Sequence, residues 1–169
     1  MEVSVIIPCY NVEKFILKCL ESLNTQTFRD FEIIVVDDGS TDNSELVIKK
    51  YLNENCLNYK YLKQKNSGPS KARNTGITNS SGKYIALLDS DDSFTKDSLE
   101  KKISAAKKND NIDFIYSDAF INYENGMETK RREKNFKEVY HGFHSGIIFE
   151  NLIDKNFIKD LVNKINILN

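Results

Sequence analysis

Long apolar runs, strong charge of either sign and abundant cysteine are all missing from this sequence of 169 residues. No apolar run approaches the roughly 20 residues that a membrane-spanning helix needs, and no signal peptide is visible at the N-terminus. The 24 basic and 25 acidic residues leave a net charge of −1, so the overall charge gives no reason to expect nucleic-acid binding. We therefore expect a cytoplasmic chain, whose association with the inner face of a membrane would be peripheral.

Cysteine is scarce, and the basic residues form only one cluster. Cys9, Cys19 and Cys56 are an odd number without metal-ligand spacing, and the first two lie in apolar stretches typical of buried thiols. This pattern suits a reducing compartment. The basic cluster, residues 130–134, is interpreted as a solvated loop face, with an anionic-lipid or polyanion site as the alternative.

What the sequence contains is an alternation of strand and helix patterns. Apolar, β-branched runs predict buried strands at 3–7, 31–36, 59–62 and 83–88, and the start of a fifth at 113–116. Helices are predicted at 12–23, 42–52, 70–78 and 96–107. The first helix has one apolar face, formed by Val12, Phe15, Ile16, Cys19, Leu20 and Leu23. The alternation predicts an α/β fold, with a mostly parallel sheet covered by helices on both faces.

Local signals set some of the boundaries of these elements. Pro8 is interpreted as the end of the first strand, and Asp42 with Glu45 as a capping box that opens the second helix. Beyond residue 122 the pattern weakens, with a polar excursion or hairpin at 123–140 and apolar segments at 146–153 and 157–167 that suit helices. We therefore separate a core at 1–122 from an incomplete second region at 123–169. Exposed apolar side chains in that region would favour self-association, namely Ile147, Ile148, Phe157 and Leu161.

Every notable polar cluster of the core follows a predicted strand, at 8–11, 37–40, 67–71 and 89–92. Ligands of parallel α/β sheets bind beyond the carboxyl ends of the strands. Asp89 and Asp91, two residues apart, can project to the same side, and two convergent carboxylates favour a hard cation such as Mg²⁺ or Mn²⁺. The alternative is an acidic loop that only caps the next helix.

The other strand ends carry candidates for nucleotide recognition. Tyr10 offers an aromatic face on which a base can stack, and Asp38 offers a carboxylate for a base edge or a ribose hydroxyl. Lys71 and Arg73 lie at a helix N-terminus, where anionic groups are favoured. Taken singly, each residue also has a plainer interpretation: packing for Tyr10, a tight turn for Asp38, and surface charge for Lys71 and Arg73.

Taken together and in order, these motifs resemble family 2 glycosyltransferases. The resemblance is close over residues 2 to about 100 and fainter to about 158. The matching segments are Val3 to Asn11, Gln26 to Glu32, Val36 to Asp42, Asn66 to Gly76 and Asp89 to Asp92, with weaker likeness at Phe149 to Leu152 and Asn156 to Ile158.

The resemblance implies a GT-A fold and an inverting transfer from a nucleotide-diphosphate sugar, usually UDP-linked, to a glycan or lipid-linked acceptor. Pro8 and Tyr10 match positions that line the nucleobase pocket, and Asp38 matches a position that contacts the base. Lys71 lies in the segment that borders the nucleotide. For the metal, Mn²⁺ or Mg²⁺, Asp91 matches the principal ligand, while Asp89 is expected near the ribose or a metal-bound water. Family usage suggests assembly of bacterial surface polysaccharide.

The sequence departs from the family at the general base. That base is an Asp or Glu in a Glu-Asp type motif after a further strand, and no such motif occurs before Asn169. Glu150 and Asp154 precede that point and are not assigned as the base. We expect a truncated part of a longer transferase, with a nucleotide-sugar-binding fragment that performs no transfer as the alternative. A phospho-receiver domain and a Rossmann oxidoreductase are disfavoured, since Pro8 to Tyr10 replaces the acidic pair or Gly-rich turn that each requires.

Overall fold

The computed structural model describes residues 1–108, 115, 120–121 and 130–131. Four strands form a parallel sheet: β1 (Val3–Cys9), β2 (Phe31–Asp37), β3 (Tyr59–Lys63) and β4 (Tyr84–Leu87). The helices between and after them are α1 (Ile16–Asn24), α2 (Ser44–Glu54), α3 (Pro69–Thr78) and α4 (Ser98–Lys108). A separate antiparallel pair joins β5 (Phe120–Ile121) to β6 (Lys130–Arg131).

The sheet is covered on both faces, as predicted. Alternate side chains of β1 point to opposite sides, so Val5 and Ile7 join one apolar cluster and Ile6 joins another. The first cluster contains side chains of α1, α2 and α4, whereas Ala72 of α3 packs on the second. Residues on both faces of β1 and β2 are buried, and this explains their continuous apolar runs.

The strand order β3-β2-β1-β4 creates a crevice at the carboxyl ends of the strands. The chain moves outward from β1 to β2 and β3, then returns through α3 on the opposite face to place β4 on the other side of β1. The direction of winding therefore reverses between β1 and β4. A reversal of this kind leaves space beyond the carboxyl ends of the two strands, where ligands of open α/β sheets bind.

Three local predictions are corrected. β1 does not end at Pro8 but continues to Cys9. Proline cannot donate a ladder hydrogen bond, but the backbone of Pro8 faces the β4 side of the sheet, where pairing with β1 has already ended at Leu87. Phe15 is 52% exposed, because α1 begins only at Ile16 and Phe15 lies outside its apolar face. The capping box predicted for Asp42 and Glu45 does not form.

In place of the capping box, Asp42 alone receives the Ser44 N–H, at 3.0 Å. Glu45 instead bonds Lys49 and Lys63, at 2.7 and 2.9 Å. Glu13 receives the N–H of Asn43, at 2.9 Å, so two carboxylates bond the start of the helix, but Asp42 and Glu45 do not form a reciprocal pair.

Several predictions fall outside the described residues. These are the boundary at residue 122, the helices at 146–153 and 157–167, the apolar side chains proposed for self-association, and the fifth strand at 113–116 apart from residue 115. Lys130 and Arg131, from the predicted hairpin region, do pair with Phe120 and Ile121. Within the described part of the chain, no helix has the length and apolar character needed to cross a bilayer.

Candidate functional site

A cleft of about 450 Å³ lies beyond the carboxyl ends of β1, β2 and β4. It brings together six of the candidate residues named from the sequence and leaves out one. Lys71 is exposed on the first turn of α3 and is not among the lining residues. The cleft is lined by Pro8, Cys9, Tyr10, Val12, Asp38, Asn66, Gly68, Pro69, Ala72, Arg73, Asp89, Ser90 and Asp91.

Tyr10 presents its ring to the cleft from the end of β1. Its side chain is 49% exposed, which removes the interpretation of Tyr10 as a packing residue. The next residue, Asn11, has φ of 53°, a left-handed conformation that Asn tolerates better than most residues. Asn11 donates its N–H to Ser40 Oγ at 3.0 Å and accepts the Thr41 N–H at 2.8 Å. The turn that carries Tyr10 is thereby fastened to the turn after β2.

Asp37 supports that second turn from inside the fold. Its carboxylate is buried, accepts the Ser40 N–H and the Tyr61 hydroxyl, both at 2.7 Å, and lies 3.5 Å from Lys63 Nζ. Burial by itself would raise the pKa of Asp37, but the hydrogen bonds from Ser40 and Tyr61 and the charge of Lys63 lower it. Asp37 therefore remains ionised and fixes the turn, a role that the sequence pattern did not distinguish from that of Asp38.

Asp38 borders the cleft, but its carboxylate is largely occupied by the protein. Oδ1 accepts from Gln64 Nε2 at 2.7 Å and from the Ser67 N–H at 2.9 Å. Oδ2 accepts from the N–H groups of Ser67 and Gly68, at 3.1 and 2.7 Å. A carboxylate has about four acceptor positions, and three donors, among them the Ser67 N–H shared by both oxygens, occupy most of them. The geometry favours the turn-holding role that the sequence left open, while direct contact of Asp38 with a base stays a prediction.

The acidic loop after β4 supplies the other wall of the cleft. Asp89 accepts a hydrogen bond from the guanidinium of Arg73, whose side chain is only 12% exposed. Arg73 thus connects α3 to this loop, and only its place at a helix N-terminus signalled it in the sequence. Burial, together with the charges of Asp91 and Asp89, raises the pKa of Asp92. The loop therefore concentrates negative charge beside the cleft.

The acidic side chains at the cleft suit a cation that is coordinated partly by the protein and partly by a bound substrate. Within the described residues, no group of three His, Cys, Asp or Glu side chains converges on one point. Asp91 is exposed at the cleft, and no side-chain hydrogen bond or ion pair within the described part of the chain occupies its carboxylate. Mg²⁺ commonly binds one or two carboxylates and completes its shell with water and substrate phosphates. Asp91, with Asp89 beside it, fits that mode.

The parallel sheet and the helices that cover it form the fold of a GT-A glycosyltransferase. The profile of the family described as Glycosyl transferase family 2 matches residues 4–166, and the chain belongs to this family. The resemblance inferred from the ordered motifs is thus confirmed, as is the predicted fold class.

The match to named relatives covers most of this chain but a small part of each relative. Glycosyltransferase GlyA of Streptococcus pneumoniae is 38% identical over 163 residues, which cover 94% of this chain and 22% of that protein. Four curated relatives match at least 90% of this chain, and the chain spans only 21–24% of their length.

Solved structures of relatives contain nucleotide sugars. Staphylococcus aureus TarS in complex with UDP-GlcNAc is 39% identical with a TM-score of 0.60, and the match covers 64% of this chain and 32% of that one. The mannosyltransferase PcManGT of Pyrobaculum calidifontis, in complex with GDP-Man and Mn²⁺, is 27% identical with a TM-score of 0.53. That match covers 55% of this chain and 28% of that one.

Proposed function

We propose that this chain binds a nucleotide-diphosphate sugar, with UDP as the nucleotide, together with Mn²⁺ or Mg²⁺. The observation that carries the proposal is the exposed carboxylate of Asp91 in the same cleft as the exposed ring of Tyr10. The first is a ligand for a phosphate-bound cation, and the second is a stacking surface for a base. The nucleotide sugars bound by TarS and PcManGT support the same class of ligand.

Five cleft residues have a role under this proposal. The base stacks on Tyr10, Pro8 lines the same pocket, and Asp89, oriented by Arg73, accepts a ribose hydroxyl. Asp91 is the main metal ligand, with Asp89 close by. When bound, the metal supplies positive charge that stabilises the departing nucleotide diphosphate. Lys71 is not at the cleft surface, and its contact with the nucleotide stays a prediction.

Transfer of the sugar is a further proposal. Inverting transfer requires a base that takes a proton from the attacking acceptor hydroxyl. We propose a glycan or lipid-linked alcohol as that acceptor, with bacterial surface polysaccharide as the product class. Among the described carboxylates at the cleft, Asp89 and Asp91 are assigned to the donor and Asp38 holds a turn. A chain that binds the donor without transferring its sugar is therefore the second candidate. A product assay with a panel of donors and acceptors separates the two.

Calorimetry with UDP, in Mn²⁺ and in chelator, tests donor binding. We expect tighter binding with Mn²⁺ in the native chain and loss of that enhancement in Asp91→Asn. Asp92→Asn is the matched control, since it removes an equal charge from the same loop at a residue that does not line the cleft. Equal UDP affinity with metal and with chelator in the native chain would exclude the metal role of Asp91.

A further inference from the structure

The nucleoside side of the cleft depends on two loops that are packed tightly together. One is the turn at 38–40, and the other is the segment at 64–68 that leads into α3. The Gln64 N–H donates to the backbone oxygen of Asp37 at 2.9 Å. Gly39 has φ of +82°, and a Cβ added there would lie 3.0 Å from Asn66 N and 3.3 Å from Gln64 O. The turn therefore fits against the second loop only because residue 39 has no side chain.

The side chain of Gln64 joins these loops to α3. Its Nε2 donates to Asp38 Oδ1 at 2.7 Å, and its Oε1 accepts the Thr75 hydroxyl at 2.7 Å. The hydroxyl of Thr75 thus selects the orientation of the amide, in which the NH₂ group faces the carboxylate. Gln64 itself does not line the cleft. Among the described residues that line the cleft, Asp38 is the one that its side chain bonds.

We infer that Gln64 is a positioning residue for nucleotide binding, which rests on the proposed function of the cleft. By holding one oxygen of Asp38, Gln64 sets the plane of the carboxylate that receives the N–H groups of Ser67 and Gly68. Those two residues lead directly into α3, which carries Arg73 and therefore orients Asp89. A displaced Gln64 would shift both walls of the cleft without removing any group that contacts the ligand.

A second glutamine provides the comparison with a purely structural role. Gln26 is buried, and its amide donates to the backbone oxygens of Ser22 and Thr95 and accepts the Leu99 N–H. It also joins separate elements, in this case α1, the segment before α4, and α4. None of its partners lines the cleft. Loss of the Gln26 amide should therefore affect folding alone.

The test uses a swap of charge across the Gln64–Asp38 hydrogen bond. Gln64→Glu places a carboxylate against that of Asp38, and we expect UDP affinity in Mn²⁺ to fall about tenfold or more. In the double variant Asp38→Asn, Gln64→Glu, the new amide at position 38 donates to the new carboxylate at position 64, and its oxygen, in the place of Oδ2, accepts the N–H groups of Ser67 and Gly68. The net charge is then unchanged, but the amide nitrogen faces the Ser67 N–H that Oδ1 accepts in the native chain, so we expect affinity to recover to a value between that of Gln64→Glu and that of the native chain. Gln26→Glu should lower the urea midpoint and leave UDP affinity of the folded protein unchanged.

Thr75→Val gives a second measurement that introduces no charge. It removes the hydroxyl that orients the Gln64 amide, and we expect about a threefold loss of UDP affinity in a folded protein. Native affinity in both Gln64→Glu and Thr75→Val would overturn the inference. Failure of the swapped double variant to recover would also overturn it, and would favour direct contact of Asp38 with the base. If the native chain binds no UDP in Mn²⁺, the proposed function itself is wrong, and with it the nucleotide role of Gln64.

Discussion

Two buried carboxylates lie at opposite ends of the same sheet, and they differ in what surrounds them. Glu32 lies near the amino end of β2, and Asp38 directly follows its carboxyl end. Glu32 is 3% exposed and Asp38 4% exposed. Each accepts hydrogen bonds from segments distant in the sequence, so burial and hydrogen bonding alone do not distinguish them.

The amino end is closed and contains its own cation. Glu32 Oε1 accepts the Ser4 hydroxyl at 2.7 Å and the N–H and hydroxyl of Ser81 at 2.8 and 2.6 Å. Lys60 Nζ lies 3.0 Å from the other oxygen. A Cβ on Gly82 would lie 2.5 Å from Ser4 N, so the backbone seals this end. The ionised side chain is fully satisfied by the protein.

The carboxyl end is open and holds unbalanced acidic groups. Asp38 is paired with neutral N–H and amide donors, and the cleft beside it carries the exposed Asp91. The contrast shows that a buried carboxylate indicates a site only where space and uncompensated charge adjoin it. We therefore expect changes at the amino end to alter stability, and changes at the carboxyl end to alter binding as well.

The largest effect is expected from Glu32→Ala. It leaves the hydroxyls of Ser4 and Ser81 without their acceptor and Lys60 with the Asn79 backbone oxygen but no carboxylate, and should cost about 3–4 kcal/mol of unfolding free energy. Urea unfolding measures this cost, with Glu54→Ala on the exposed end of α2 as a control expected within about 0.5 kcal/mol of native. UDP affinity of the folded protein should not change. A weaker affinity without loss of stability would contradict the separation of the two ends.

Acid should weaken the amino end in a defined pH range. Burial by itself would raise the pKa of Glu32, but the hydrogen bonds from Ser81, Ser4 and Lys60 outweigh it and lower the pKa to about 2. The stabilisation is therefore complete above the unfolded-state pKa, near 4.5, and is lost as pH falls to about 2. The loss amounts to about 3 kcal/mol at most. It should appear as a steeper fall in unfolding free energy for the native chain than for Glu32→Gln; parallel curves would refute it.

The smallest effect on stability is expected from Gly39→Ala, at the carboxyl end. The positive φ and the crowding against Asn66 should together cost about 1–2 kcal/mol. Gly68→Ala tests a positive φ without crowding, because φ there is +89°, ψ is 160° and no atom lies within 4 Å of an added Cβ. We expect Gly39→Ala also to weaken UDP binding, by about threefold or more. Calorimetry on the folded variant checks this, and an unchanged affinity would mean that the two loops move independently of the cleft.

Patterns along the sequence determined the architecture and the location of the site. Buried runs such as Ile33 to Val36 predicted the strands, since β-branched side chains pack well on a sheet covered on both faces. The clusters at 8–11 and 89–92 predicted a strand-end site, because parallel strands bring their carboxyl ends to one edge. The end of β1 could not be predicted in the same way. It depends on which neighbouring strand the backbone of Pro8 faces, and the local sequence does not contain that information.

Only the tertiary structure decided which polar groups pair. Asp38 meets Ser67 and Gly68, 29 and 30 residues away, because β2 and β3 align in register and place the loop at 64–68 beside the turn after β2. Arg73 reaches Asp89 because α3 crosses the face opposite α1 and delivers the chain to β4. Hydrogen bonds and ion pairs act over about 3–4 Å in space, whatever the separation along the chain. The sequence alone therefore determined which strand ends border the cleft, and the packing of strands and helices decided which side chains reach it and which of them remain available to a ligand.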